Sequence, residues 1–159
     1  MLRGIKTRKT VRKRTSEYSA VLVLVQVSAI GVIIMTTPFN IYKTYTFLPF
    51  GIFSVVLLLW AVFSMKTTTW NIMPTPRKKA EPTFKGPYKT VRHPMYLSIL
   101  IFTVPLLIHH YSNLRLMVTL VLITVLVFKI ELEEQLLKER FPGYHNYSDR
   151  TFRLIPYIF

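Results

Sequence analysis

Four runs of apolar residues organise the chain. They extend from about Tyr18 to Thr37, from about Thr46 to Met65, from Met95 to His109 and from Leu114 to Ile130. A helix crossing the hydrocarbon core of a bilayer needs about 20 apolar residues, which the first two runs supply. The third and fourth are shorter, and Tyr111-Ser112-Asn113 between them reads as a turn. They are predicted to form a tight helical hairpin shielded by the first pair. Pro105 falls inside the third run, where neighbouring helices can satisfy the carbonyl it frees. Beyond Ile130, the strong helix formers from Glu131 to Arg140 continue as helix, and Pro142-Gly143 stops it. The pattern predicts an all-α polytopic membrane protein with about four transmembrane helices, followed by a C-terminal helix and tail.

Charge gives this arrangement a direction. The 159 residues fit one domain and carry a formal net charge of +14. In a soluble protein such a balance would suggest nucleic acid. Here the basic residues flank apolar runs, so anionic lipid headgroups are the expected partner and nucleic acid is not. Seven Lys or Arg precede Glu17, seven fall between Lys66 and Arg92, and five lie from Lys129 onward, while the two remaining connections hold only Lys43 and Arg115. With four spans, every basic segment falls on one side; an odd number would divide them. The positive-inside rule makes that side cytoplasmic. Both termini are then cytoplasmic, and the protein sits in a cell inner membrane or an endomembrane.

The basic N-terminus resembles the start of a signal peptide. The apolar run after it is too long for an h-region, however, and lacks a small-residue cleavage pattern, so it reads as a retained first span. Residues 1–17 are expected as a mobile, headgroup-bound tail, residues 18–65 as the first two membrane helices, and residues 66–159 as an irregular loop, the hairpin and the C-terminal segment of the same domain. The chain has no cysteine, which excludes disulfides, thiolate metal sites and cysteine nucleophiles.

Two clusters on the cytoplasmic side carry polar chemistry. The first is Gly86-Pro87-Tyr88-Lys89-Thr90-Val91-Arg92-His93-Pro94-Met95-Tyr96. Pro94 suits the first turn of a helix, where its missing N–H costs nothing. That puts His93 at the N-cap and Tyr96 near it on one face, beside free N–H groups able to receive an anion. The same residues also fit an interfacial anchor. The second cluster is Glu131, Glu133 and Glu134 at the edge of the fourth span. Carboxylates there are costly without partners, and Arg92 and Lys129 are the natural ones. A solvated helix face and a structural ion pair with Arg92 are the plainer readings. No metal-ligand spacing, Ser-His-Asp set or phosphate loop is present, and His109 and His110 fall on the opposite side of the membrane. Gly-Pro-Tyr taken alone is a turn.

Taken in order, Asn71-Ile72-Met73-Pro74-Thr75-Pro76, Gly86-Pro87-Tyr88, Arg92-His93-Pro94-Met95-Tyr96, Glu133-Glu134 with Leu137, Phe141, Gly143, Tyr144 and Tyr147, and Leu154-Ile155-Pro156 resemble the isoprenylcysteine carboxyl methyltransferases and their relatives, the phospholipid N-methyltransferases. The resemblance covers about residues 66 to 157. It implies a membrane enzyme that uses S-adenosylmethionine, with residues 66–159 forming its cofactor-binding loop, transmembrane hairpin and catalytic segment. It implies cofactor contacts from Tyr88, His93, Pro94, Met95, Tyr96 and Glu133, and catalytic or acceptor-side roles for Arg92, Lys129 and Glu134. In the isoprenylcysteine branch an Arg stands four residues before the cofactor-binding Glu; this chain has Lys129 there. Lys does not reproduce a bidentate Arg–carboxylate contact.

The chemistry is consistent with that resemblance. Glu133 could accept charge-assisted hydrogen bonds from ribose hydroxyls or an ammonium group, and Tyr88 and Tyr96 could face a sulfonium or an adenine. A boundary site lets a water-soluble donor and a lipophilic acceptor, carboxylate or amine, each arrive from its own phase. An amine would first have to lose a proton, to Glu134, His93 or Tyr88. The competing readings are an NADPH-dependent reductase of the sterol type and a non-enzymatic small membrane protein. The sequence specifies neither the acceptor nor the oligomeric state.

Overall fold

The computed structural model describes residues 2–38, 41–65 and 85–156, with side chains at 18, 20–38, 47–65 and 85–156. The connection 66–84, with the motif at 71–76, lies outside the described residues. Within them the regular elements are helices: α1 (Leu2–Thr36), α2 (Ile41–Ser64), α3 (Pro94–His109), α4 (Asn113–Arg140) and the short α5 (Tyr144–Ser148), with a 3-10 turn at Gly86–Lys89. An isolated parallel bridge joins Val91 to Phe152.

Three boundaries follow the sequence directly. Pro94 opens α3 at its first helical position with His93 as N-cap, because proline's fixed φ suits a helix start and its lost N–H would be unpaired there. The hairpin turn spans His110–Ser112, between α3 and α4. α4 runs without a break from the fourth apolar run through Arg140 and stops before Pro142-Gly143. The basic N-terminal segment departs from expectation. From Leu2 it is helical and continuous with the first apolar run, since extending an existing helix with good formers such as Lys and Arg costs little once a nucleus exists.

Within the described residues, Phe47–Ser64 of α2 is the one helical segment with both the length and the mean hydropathy (2.3) to cross a membrane. Ala20–Thr36 and Pro94–His109 are apolar but shorter, and the apolar part of α4 is bounded by Arg115 and Lys129. By length and hydropathy, one described helix is able to cross a membrane, so these criteria do not by themselves give four spans.

α2 packs mainly on α3, and α1 mainly on α4. Ala29 and Ile33 of α1 meet Leu106 of α3 and Leu122 and Leu126 of α4 in the core. Small polar residues share that interior: Ser54, Ser98, Thr103 and Thr119 are buried, while Phe50, Phe53, Val56, Leu120 and Phe128 face outward. Small and hydroxyl residues at helix contacts with large apolar residues outside suit a hydrocarbon surround. Ser54 Oγ donates to the Ser98 carbonyl at 2.8 Å, linking α2 to α3.

One cation fastens the hairpin end of the bundle. The Arg115 guanidinium donates to the carbonyls of Thr36 and His110 and, at 3.2 Å, to Thr36 Oγ1. The final carbonyls of a helix have no intrahelical partner, so a buried Arg from α4 serves the ends of α1 and α3 together. At the other end, Gly86 holds φ +59°, and a Cβ there would collide with the Ser64 side chain. Glycine lets the 3-10 turn close directly on the end of α2.

Candidate functional site

The site is built where the start of α3, the later turns of α4 and the chain after α5 converge. The helix start fixes its first pair. With His93 at the N-cap, Tyr96 follows by three residues, and their rings stack 5.6 Å apart at an interplanar angle of 10°. Tyr96 donates its hydroxyl to Glu133 Oε1 at 2.8 Å, and His93 Nδ1 lies 3.3 Å from Glu133 Oε2. His93, Tyr96 and Glu133 thus form one polar triad across α3 and α4.

Glu134 occupies a drier position. Its carboxylate accepts from Arg92 Nε at 2.7 Å and lies 3.3 Å from Arg153 Nε and 3.9 Å from Lys138 Nζ. Its side chain is 4% exposed against 21% for Glu133, so the neighbouring glutamates differ in what can reach them. Arg92 does more than pair with Glu134. One of its guanidinium nitrogens donates to the carbonyls of Ser148 and Thr151, each at 2.5 Å. Arg92 N–H donates to the Phe152 carbonyl at 2.8 Å, and Phe152 N–H donates to the Thr90 carbonyl at 3.0 Å. Tyr147 adds a 2.6 Å hydrogen bond to the carbonyl of Tyr88. The segment 148–153 is therefore strapped across the start of α3.

Electrostatics separates the roles further. Burial alone would raise the Glu134 carboxyl, but the neighbouring His93 imidazole and the charged, hydrogen-bonded Arg92 guanidinium bring it down to about 2. Burial disfavours the charged form of His93, and the two glutamates outweigh it, so its pKa ends above the ordinary imidazole value. His93 Nε2 is 3.5 Å from Glu134 Oε1, too far for a well-made bond, and stays buried without a hydrogen-bond partner. Burial, then the Glu133 charge, pushes the Tyr88 phenol well up, while burial raises Tyr147 to about 12. Both phenols are neutral hydroxyls near pH 7.

Opposite signs follow for stability. Glu134, depressed in the folded protein, contributes fully above the ordinary carboxylate range and loses that contribution as pH falls from 4.5 towards about 2. His93, raised, contributes fully below the unfolded imidazole pKa and loses it as pH rises through its folded value. Thermal unfolding measured across pH should show a plateau with a fall on each side, and Glu134→Gln should remove the acid limb. An acid limb retained in that variant would contradict the assignment.

The structure brings Tyr88, Arg92, His93, Pro94, Tyr96, Glu133 and Glu134 together. Met95 is half-buried on the first turn, where its carbonyl accepts from Ser98 Oγ at 2.7 Å. Glu131 and Glu139 are exposed, on the solvated face. The Glu133 charge acts on Lys129 as expected, but the hydrogen bond of Lys129 goes to another helix. Nζ donates to Gln26 Oε1 at 2.5 Å and lies 5.0 Å from the centre of the Tyr96 ring. Arg153 and Gln26 are the participants the motifs did not single out. A lone glutamine within an apolar run was the available signal for Gln26. Among the described residues, no group of His, Asp and Glu could hold a metal ion.

A sequence model described as phospholipid methyltransferase matches residues 42–143. Comparison with curated proteins finds no match. The matched segment contains α2, α3, α4 and the triad of His93, Tyr96 and Glu133. With that much of its length covered, the chain belongs to the phospholipid methyltransferase family, and so to a family of membrane methyltransferases.

Proposed function

We propose that the protein is an integral membrane methyltransferase that uses S-adenosylmethionine to methylate a lipophilic acceptor at the cytoplasmic boundary. In this reading the chain makes four spans and both termini are cytoplasmic. The observation that carries it is the triad of His93, Tyr96 and Glu133 within the family-matched segment, with Glu133 still 21% exposed. The residues present fit the cofactor. Glu133 keeps acceptor lone pairs for hydroxyl or ammonium donors, Tyr88 offers a ring face to a cation, and His93 holds an unpartnered buried nitrogen, Nε2. Pro94 and Met95 supply the helix start against which the cofactor would lie.

S-adenosylmethionine supplies an electrophilic methyl group on a sulfonium. The remaining work falls to the chain. Arg92 and Glu134 hold the strap 148–153 and keep the site shaped. Lys129 stands on the acceptor side, in the bundle interior. Transfer is an in-line displacement whose chief demands are alignment and exclusion of water. The methyl group would pass to the acceptor atom as its bond to sulfur breaks, with the electron pair left on sulfur. A carboxylate acceptor needs no base; an amine gives up one proton, for which Glu134, His93 and Tyr88 are the candidates.

Purified protein incubated with methyl-labelled S-adenosylmethionine and a total lipid extract is expected to yield a labelled lipid. A labelled headgroup amine and a labelled ester separate the two acceptor classes. No labelled product, together with no cofactor binding at millimolar concentration by calorimetry, would refute the proposal.

A further inference from the structure

The family match ends at residue 143, so α5 and the strap after it lie beyond the matched segment. One α5 side chain nonetheless holds the turn that carries Tyr88. The Tyr147 hydroxyl donates to the Tyr88 carbonyl at 2.6 Å, across 59 residues of sequence. That carbonyl belongs to the 3-10 turn Gly86–Lys89, and the final carbonyls of a helix have no partner within it. The carbonyl before it, on Pro87, is used by the N–H groups of Thr90 and Val91. The Tyr88 carbonyl is served instead by a phenol from the tail.

Tyr147 is itself anchored. Its carbonyl accepts from Thr151 Oγ1 at 2.7 Å, and Arg92 holds the Thr151 carbonyl. Its ring meets Tyr144 edge to face at 5.5 Å, and Tyr144 is fully buried. A phenol fixed in this way acts as a strut between the tail and the turn. The far end of the strut is the backbone of Tyr88, whose side chain is buried within electrostatic reach of Glu133. A binding group has to be held within about 0.5 Å and 10–20° of its working geometry. A four-residue turn that begins on Gly86 at φ +59° does not supply that stiffness alone, because glycine is the most permissive of residues. Bonding the Tyr88 carbonyl fixes the turn while leaving the Tyr88 ring uncommitted by this contact.

We infer that Tyr147 is a positioning residue for the cofactor: by pinning the Tyr88 carbonyl it fixes the direction of the Tyr88 ring, so that the ring face serves the sulfonium charge of S-adenosylmethionine. This rests on the methyltransferase reading and gives the tail beyond the matched segment a part in it. The attraction of a ring face for a cation depends on the cation standing over the ring, so a ring free to tilt loses it. A neutral ligand of the same shape makes no such demand.

The test is calorimetric titration of the full chain in phosphatidylcholine vesicles with two ligands, S-adenosylmethionine and its neutral demethylated thioether, S-adenosylhomocysteine. Tyr147→Phe removes one oxygen and keeps the ring that meets Tyr144. It is expected to weaken binding of the sulfonium about fivefold, the scale of one cation–ring contact, and binding of the thioether by less than about twofold. Equal weakening of both ligands makes Tyr147 a tie for the fold alone and overturns the inference; so does unchanged affinity for the sulfonium. Thr151→Val, which releases the Tyr147 carbonyl and leaves the phenol, provides the same comparison if Tyr147→Phe does not fold. Wild-type protein that binds neither ligand at millimolar concentration overturns the methyltransferase reading and this inference with it. Wild-type binding alongside an unaffected Tyr147→Phe overturns the inference alone.

Discussion

Glu133→Ala is expected to abolish binding of S-adenosylmethionine in calorimetric titration, with helical content by circular dichroism and the unfolding temperature expected to stay near those of the wild type. Hydrogen bonds to an ionised carboxylate contribute about 1.5–3 kcal/mol each, so losing two costs roughly a hundredfold or more in affinity. The fold survives because Glu133 is partly exposed, and water can replace it as partner to Tyr96 and His93. Glu133→Gln should fall between the two, since an amide oxygen still accepts from Tyr96 but carries no charge. Near-normal affinity in Glu133→Ala would remove the central cofactor contact from the proposal.

Arg92→Leu is expected to give the opposite profile, a large loss of stability with activity lost as a consequence. The guanidinium serves Glu134 and the carbonyls of Ser148 and Thr151. Removing one partner of a buried ion pair costs about 3–5 kcal/mol, because the other charge is left behind. Arg153 and His93 still face Glu134 and keep the loss towards the lower end. Release of the strap should appear as new protease cleavage near 148–153 before the helices melt. The double variant Arg92→Leu/Glu134→Leu should recover part of the lost stability, because both charges leave together. A double variant less stable than Arg92→Leu would argue against the pair.

The parts of the site legible in the sequence are those set by local geometry. Proline at the first helical position and a three-residue spacing are enough to put His93 over Tyr96. Turn chemistry locates both ends of the α3–α4 hairpin in the same way. The orientation of α1 is not legible, because an apolar run in a bilayer can show lipid or neighbour on any side, and only packing against α4 turns Gln26 inward. The role of Arg92 is half-legible. Its charge pairing with a glutamate was open to the sequence, but its bonds to Ser148 and Thr151 use backbone carbonyls, which carry no side-chain signature. For Lys129 the charge pattern points to Glu133, which acts on it from one helical turn away, but not to its hydrogen bond with Gln26, which only the packing of α1 on α4 brings about.

The strap held by Arg92 also sets an order of assembly. A chain leaves the ribosome N-terminus first, so α1 to α4 are all synthesised before residues 148–153 can reach Arg92 and Glu134. Until then Glu134 lacks Arg153 and Arg92 lacks two of its acceptors. The helices can meet one another while the polar cluster is incomplete, so that its completion is a last, separate step of biosynthesis.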